Sequence, residues 1–339
     1  MNEKKERMIF DVAFQPQIRA LRDTSWLMLT VIIAILPSLA VAVFQFGGHP
    51  LAVTAVSVAS CVFFEWLYRK LLKKSSSIGD LSAVVTGMLL AMVLPVNVPL
   101  YLPVVGSFFA IVVVKQLYGG IGKNFLNPAL AGRAFLLACY ALTMGIWSTP
   151  KGLLTEVDAE TMATPLSYLY GGTPLPEYFS KLNLFLGNRP GCIGDLSLLA
   201  ALIGAVILFA GKVIDWRIPV STVGTVALLT LIFGKEGYGN VEWMEYNLLS
   251  GGLVFASVFM ATDYSTSPVT PNGRLLYGFG IGALTVLIRY FGGYPEGVSY
   301  AILIMNLCSW AIDKGFHRHQ FGATKEDIAA EKAAAKGGA

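Results

Sequence analysis

The chain has 339 residues, of which 55% are hydrophobic and 14% are charged, and its net charge is +4. Soluble domains carry about 25% charged residues, so this composition excludes an ordinary water-soluble protein and indicates a polytopic membrane protein in contact with lipid. The basic residues form no patch interleaved with aromatic residues, which excludes a nucleic-acid-binding protein, and the four cysteines form no CxxC pair, so we expect no metal site.

Apolar segments follow one another along the chain, and we predict about ten transmembrane helices. The third and fourth share one apolar stretch that Pro95, Pro99 and Pro103 divide. Several later segments are short and rich in glycine, which is typical of broken helices near a central site. In chain order the segments are 26–46, 50–68, two within 81–114, 127–147, 196–211, 218–234, 246–262, 275–291 and 297–312.

Five segments precede one long polar loop and five follow it. An odd number of spans in each half predicts two inverted five-helix repeats, the architecture of many transporters. A short match supports the repeat, because 117–120 and 290–293 both end in Gly-Gly and lead into the last segment of their half. The predicted parts are a cytoplasmic N-terminal segment 1–25, a first membrane half 26–147, an extracytoplasmic loop 148–194, a second membrane half 195–313 and a cytoplasmic tail 314–339.

Lysine and arginine are distributed unequally between the two sets of loops. If the N-terminus is cytoplasmic, most of them fall on the cytoplasmic side. The positive-inside rule then places both termini in the cytoplasm and the loop 148–194 outside, in a multi-pass protein of a bacterial or archaeal cytoplasmic membrane. Glu65 and Arg289 lie near helix ends, where they would reach the membrane interface.

One run in the outer loop, Asp158-Ala-Glu-Thr-Met-Ala-Thr164-Pro165, is unusually polar for this chain. Thr164 followed by Pro165 predicts the N-cap and first residue of a short helix. A helix start also offers free backbone N–H groups and a positive dipole end, which favour a phosphate group. The residues alone therefore support both a capping role and an anion-binding role.

Three aspartates at predicted membrane edges, Asp80, Asp195 and Asp263, are candidates for a cation route. Carboxylates there are costly and often functional. For Asp80 and Asp195, which lie at predicted helix starts, a capping role accounts for the residue as well as a functional role does. Asp263 begins a loop rich in turn-forming residues, and a tight connection would account for it. The sequence contains no phosphate-cradling GxxxxGK[ST], HExxH or GxSxG motif, so it indicates no ATPase or hydrolase chemistry.

Four blocks resemble the RnfD family, which comprises the D subunit of the Rnf electron-transport complex and its sister, the B subunit of the sodium-pumping NADH:quinone reductase. The resemblance runs from about residue 15 to 313. It implies a fold similar to that of urea channels, and a membrane subunit of an ion-translocating ferredoxin:NAD oxidoreductase complex that is not catalytic alone. The blocks are DLSAVVTGMLLAMVLP at 80–95, GGIGKNFLNPA at 119–129, TDYSTSPVTPNG at 262–273 and GGYPEGVSYAIL at 292–303.

The resemblance further implies FMN joined through its phosphate to Thr164, with Asp158, Thr161 and Ala163 completing the acceptor motif. Met162 departs from the commonest form of that motif, where glycine or serine is usual. A noncovalent riboflavin is also implied. The implied partners are a flavin transferase, Na⁺ or H⁺, and other Rnf subunits, including the flavin-bearing G subunit and the membrane-embedded A and E subunits. A solute channel of the urea-channel type, without a redox role, is the alternative.

Overall fold

The structure, a computed structural model, describes residues 23–75, 77–153, 161–235 and 237–316. The described ranges are helical and contain no β-strand, so the all-α prediction is confirmed. Two isolated β-bridges join Pro95 to Cys192 and Ser148 to Thr161. The α-helices are α1 (Thr24–Phe46), α2 (His49–Leu71), α3 (Ser82–Met92), α4 (Tyr101–Phe108), α5 (Pro128–Cys139), α6 (Ala141–Met144), α7 (Pro165–Gly171), α8 (Lys181–Leu186), α9 (Leu198–Ala210), α10 (Arg217–Ile232), α11 (Asn240–Leu249), α12 (Leu253–Phe259), α13 (Pro271–Phe291) and α14 (Val298–Gly315).

Helices α1, α2 and α13 are long and apolar enough to cross a membrane. Shorter apolar helices accompany them: α3, α4 with its π-helical continuation Phe109–Gln116, α5, α9 and α10. Many large hydrophobic side chains on these helices are exposed, among them Phe44 and Phe291. Such exposure suits a lipid environment, because lipid tails are as apolar as these side chains. Each predicted apolar segment coincides either with one helix or with two consecutive helices separated by a break. The number of membrane spans stays a prediction.

Several predicted segments are interrupted. The segment 246–262 is two helices, α11 and α12, separated at Ser250–Gly252, where Gly251 has a φ of 75° that favours glycine. The segment 127–147 is also divided, since α5 ends at Cys139 and the non-helical Tyr140 leads into α6. The prediction of a single fifth helix is therefore wrong, although broken helices were expected in the second half.

Some helix contacts of the first half have counterparts in the second half. In the first half α2 packs against α3 and α4, and in the second half α10 packs against α12 and α13. The first helices of the halves, α1 and α9, pack on each other, and so do the last helices, α5 and α14.

Candidate functional site

Thr164 is the N-cap of α7, as predicted. Its backbone is extended, with φ −70° and ψ 153°, and its Oγ1 accepts a hydrogen bond from the Ser167 N–H at 3.3 Å. The Ser167 hydroxyl lies 2.9 Å from the same oxygen. Pro165 is the first helical residue, where its missing N–H is harmless because that group has no intrahelical partner. The polar run of the sequence thus holds one hydroxyl oxygen at a defined helix start.

The rest of the acceptor motif is only partly described. Thr161 and Ala163 are exposed, whereas Thr164 is 4% exposed. Met162 packs against the buried cluster of Leu153, Phe179 and Leu184, so its side chain is accommodated away from the solvent. Asp158 lies outside the described residues.

Thr164 lines a cavity of about 160 Å³, here called the Thr164 cavity. Its walls come from α5, α6, the start of α7 and the loop that leads into α14. Aromatic rings dominate one side, with the Tyr294 and Tyr300 ring centroids 5.9 Å apart and Trp147 nearby. The lining residues are Arg133, Ala134, Leu137, Ala141, Met144, Gly145, Trp147, Thr164, Ser167, Tyr294, Pro295, Glu296, Ser299 and Tyr300.

One ion pair forms part of the wall of this cavity. Arg133 of α5 contacts Glu296, in the loop before α14, with Nη2 and Oε2 2.7 Å apart, and the two side chains are 12% and 16% exposed. The lining is mostly apolar, with three aromatic side chains and one pair of opposite charges. The arrangement therefore suits a flat, mostly apolar ring system that an arginine can contact.

Glu296 also borders a second group of residues behind the cavity. The ligand atoms of Cys192, Asp195 and Glu296 lie within 4.8 Å of one another. Asp195 is 8% exposed, and its Oδ1 has no hydrogen-bond partner within the part of the chain that the structure describes. Burial raises the pKa of the Asp195 carboxyl and Glu296 adds to the increase, while Arg189 and Arg133 oppose it. Ser197, rather than Asp195, caps α9.

Two buried arginines hold the interrupted region in place. The Arg189 guanidinium donates to the carbonyl oxygens of Leu196 at 2.8 Å and Leu249 at 2.5 Å, which ties the loop before α9 to the end of α11. Arg289 is 2% exposed and donates to the Asn247 carbonyl at 2.9 Å. The interpretation of Arg289 as an interfacial residue is therefore wrong, because the broken helix α11 leaves carbonyl groups that need donors.

The other predicted carboxylates lie elsewhere. Asp80 accepts hydrogen bonds from the Ser82 N–H at 2.9 Å and the Ser82 hydroxyl at 2.6 Å just before α3, although the N-cap residue of α3 is Leu81. Asp263 accepts from the Ser265 N–H at 3.2 Å in the α12–α13 loop. Burial raises the pKa of the Asp263 carboxyl, although hydrogen bonds from Ser265 and Thr266 oppose the shift. The structure does not bring Asp80, Asp195 and Asp263 into one site.

Asp263 lines a separate cavity of about 120 Å³, here called the Asn127 cavity. Polar groups of Ser82, Lys115, Asn124 and Asn127 line it together with apolar side chains of α1, α3, α9 and α12. This cavity lies at the start of α5, whereas the Thr164 cavity lies at the start of α14.

Sequence reasoning missed the ion pair of Lys115 and Glu65 beside this cavity. Lys115 Nζ lies 2.8 Å from Glu65 Oε2 and 2.7 Å from the Ser82 hydroxyl oxygen, and the two charged side chains are 4% and 1% exposed. Glu65 is therefore buried, and its interpretation as an interfacial residue is wrong. A charge inside an apolar segment was the available signal, since buried charges are paired.

Comparison with known proteins adds an independent finding. A model of the family described as NQR2, RnfD, RnfE matches residues 11–322. The chain is 45% identical over 318 residues to the D subunit of the Na⁺-translocating ferredoxin:NAD⁺ oxidoreductase complex of Acetobacterium woodii, covering 93% of this chain and 96% of that protein. It is 39% identical to the D subunit of the proton-translocating complex of Clostridium ljungdahlii, with 94% and 98% covered. The D subunit of the ion-translocating oxidoreductase complex of Shewanella amazonensis is 36% identical, with 90% and 96% covered.

Proposed function

The chain belongs to the NQR2, RnfD, RnfE family, and from that premise we propose that it is the membrane subunit of an ion-translocating ferredoxin:NAD oxidoreductase complex, with FMN covalently bound at Thr164. Relatives named as the D subunit of such complexes match over almost their full length. In this proposal the chain carries electrons through the flavin and is not catalytic alone.

The observation that carries the proposal is the position of the Thr164 side chain, which lines an aromatic cavity containing Arg133. A phosphate joined to Thr164 Oγ1 would be held by the Ser167 hydroxyl and N–H, which already contact that oxygen. Trp147, Tyr294 and Tyr300 provide flat apolar surfaces of the kind on which a ring system stacks. The residues present therefore fit the phosphate and part of the ring system of FMN, because a cavity of about 160 Å³ is close in size to one that holds benzene.

FMN supplies redox chemistry when bound, and the protein supplies position and electrostatics. Arg133 and Glu296 both line the cavity, so the Arg133 guanidinium can contact a negative group there while it also neutralises Glu296. Thr161 and Ala163 are exposed beside Thr164, which leaves this part of the acceptor motif open to a flavin transferase. Asp158 completes the motif in the proposal.

The Asn127 cavity suits the noncovalent riboflavin that the family resemblance implies. It lies at the start of α5 and is bordered by α1, α3, α9 and α12, whereas α5, α6, α7 and α14 border the Thr164 cavity, so the two sites are separate. Amide groups of Asn124 and Asn127 and the Asp263 carboxylate offer hydrogen bonds to the edge of a flavin. Riboflavin lacks a phosphate, which agrees with a cavity whose lining contains one lysine, Lys115, already paired with Glu65.

The helix contacts that have counterparts in both halves also support two inverted five-helix repeats of the urea-channel type. With that architecture the chain crosses a cell membrane about ten times, 1–25 and 314–339 are cytoplasmic, and the loop 148–194 with Thr164 lies outside. The membrane halves are 26–147 and 195–313.

The proposed partners are the other Rnf subunits, including the flavin-bearing G subunit and the membrane-embedded A and E subunits, together with the flavin transferase. The relatives from Acetobacterium woodii and Clostridium ljungdahlii are named for different ions, so membership of the family is compatible with either Na⁺ or H⁺ as the coupling ion. Asp80, Asp195 and Asp263 are the carboxylates proposed for its route.

The attachment is tested by replacing Thr164. We expect Thr164→Val, produced together with the flavin transferase, to lack the ultraviolet fluorescence that a covalent flavin gives the denatured protein band. Thr173→Val is the matched control, because Thr173 lies just beyond α7 in the same loop, and we expect it to fluoresce like the parent. A Thr164→Val band of parental brightness would contradict the proposal, and a parent chain without flavin would favour the solute channel.

A further inference from the structure

The ion pair of Arg133 and Glu296 forms a wall shared by two cavities. On one side lies the Thr164 cavity, and on the other lies a small cavity of about 10 Å³ bordered by Cys192, Asp195 and Gly252. Ser299 also borders both spaces. A change of charge in the Thr164 cavity therefore acts on the small cavity across a single pair of side chains.

The small cavity contains an unexplained polar atom. Asp195 Oδ1 is buried and has no hydrogen-bond partner among the residues described. Buried carboxylate oxygens are almost always paired with a donor, and each exception calls for an explanation. The volume matches that of one water molecule, which needs about 10–15 Å³. Oxygens of Asp195 and Glu296 within 4.8 Å of each other suit a bridge of one water or one shared proton.

The charged and titratable groups facing Asp195 come from three elements. Arg133 lies on α5, Arg189 and Cys192 lie in the loop before α9, and Glu296 lies in the loop before α14. The ends of α3 and α12 that close the cavity contribute Met92, Val93, Gly252, Phe255 and Ala256, none of which titrates.

These surroundings select a proton over a metal ion. Two guanidinium groups, those of Arg133 and Arg189, lie near the cavity and repel a metal cation. The cavity of about 10 Å³ is also too small for a hydrated ion. Arg189 directs its N–H groups at backbone carbonyls, so it does not neutralise Asp195 by a direct hydrogen bond. A buried carboxylate that faces another carboxylate, and one of whose oxygens has no donor, is stabilised by binding a proton, although a backbone hydrogen bond from Cys192 favours the charged form of Asp195.

We propose that Asp195, together with Glu296, forms a proton-binding pair whose occupancy is coupled through Arg133 to the redox state of the Thr164 cavity. The proposal rests on the proposed function, since it requires the flavin at Thr164. One electron from the donor of the complex adds one negative charge to that cavity, and one proton from water converts the Asp195 carboxylate to the carboxylic acid. No bond of the protein other than this O–H bond forms or breaks.

Arg133 transmits the coupling by electrostatics. Its guanidinium faces the Thr164 cavity and contacts Glu296, so negative charge in the cavity attracts it and weakens its neutralisation of Glu296. The Glu296 charge then acts more strongly on Asp195 and favours the protonated acid there. Removal of the electron reverses the sequence and releases the proton.

The test is infrared difference spectroscopy of the full chain, produced with the flavin transferase, between its dithionite-reduced and oxidised states. We expect reduction to produce the C=O stretch of a protonated carboxylic acid. Labelling the side-chain carboxyl of aspartate with ¹³C should shift this band, which separates it from the flavin carbonyls. Asp195→Asn, a nearly isosteric change, should abolish the band. Asp215→Asn is the matched control, because Asp215 pairs with Arg217 and Arg274 away from both cavities, and it should leave the band in place.

The outcomes separate the two proposals. A parent chain that carries the flavin but shows no ¹³C-sensitive acid band overturns the proton-binding pair alone. A band that survives in Asp195→Asn overturns the assignment to Asp195. A parent chain without covalent flavin overturns both the proposed function and this inference. The ¹³C shift in the parent shows that an aspartate is the acid, and loss of the band in an Asp195→Asn chain that still carries the covalent flavin identifies this aspartate as Asp195.

Discussion

At the scale of single residues, two buried ion pairs join charges that lie far apart in the sequence. Lys115 and Glu65 are separated by 50 residues, and Arg133 and Glu296 by 163. A charge inside an apolar segment is predictable from the sequence, but its partner is not, because the pairing depends on how the helices pack. Thr164 and Pro165 were predicted correctly for the opposite reason, since an N-cap is decided by adjacent residues.

The pair of Lys115 and Glu65 provides a test at this scale. Lys115→Met should lower the free energy of unfolding by about 3–5 kcal/mol, because it leaves the Glu65 carboxylate buried without its cation. The double variant Lys115→Met, Glu65→Gln should recover most of this loss, since no unpaired charge remains. The measurement is a denaturant titration in detergent micelles. An equal loss of unfolding free energy in the single and double variants would show that the unpaired Glu65 charge is not the cause of the loss.

At the scale of helices, small residues decide how closely the two halves approach each other. A Cβ on Gly204 of α9 would lie 2.3 Å from the Ala34 carbonyl oxygen of α1. Small residues at helix contacts of membrane proteins allow this kind of backbone approach. The pairing of α1 with α9 could not be predicted from composition, because Gly224 of α10 also lies in an apolar helix, yet a Cβ added there would meet no atom within 4 Å.

The two glycines form a matched pair of variants. Gly204→Ala should lower the free energy of unfolding by about 1–3 kcal/mol, because the added methyl group forces α1 and α9 apart. Gly224→Ala should leave it unchanged or raise it by up to about 1 kcal/mol, because alanine favours a helix and the site has space. The same detergent titration measures both. A loss in Gly224→Ala as large as that in Gly204→Ala would contradict the packing of α1 on α9.

At the scale of the whole molecule, the sequence predicted an all-α membrane protein correctly, because composition and apolar runs report directly on burial in lipid. The interruptions within α11–α12 and at Tyr140 were placed less well. Arg189 and Arg289 stabilise the interruption between α11 and α12 by hydrogen bonds to the carbonyls of Leu249 and Asn247, which no local pattern indicates.

The proposed orientation predicts which loops meet the outside. We expect Thr173→Cys to react with a membrane-impermeant maleimide in intact cells, and Val269→Cys to react only after the membrane is permeabilised. Both positions are exposed, and the exposed Cys139 and Cys308 are first replaced by alanine. We expect this result because the positive-inside distribution of lysine and arginine places the loop with Thr173 outside and the loop with Val269 in the cytoplasm. Labelling of Val269→Cys from outside, with Thr173→Cys protected, would reverse the orientation.

The central claim is that Thr164 holds FMN, and mass spectrometry of the peptide that contains it tests this most directly. The chain is purified from membranes that contain the flavin transferase, then digested and fragmented. The account predicts that the peptide is heavier by the mass of FMN less one water and that the fragments place the addition on Thr164. An unmodified Thr164, or a flavin attached to another residue, would contradict it.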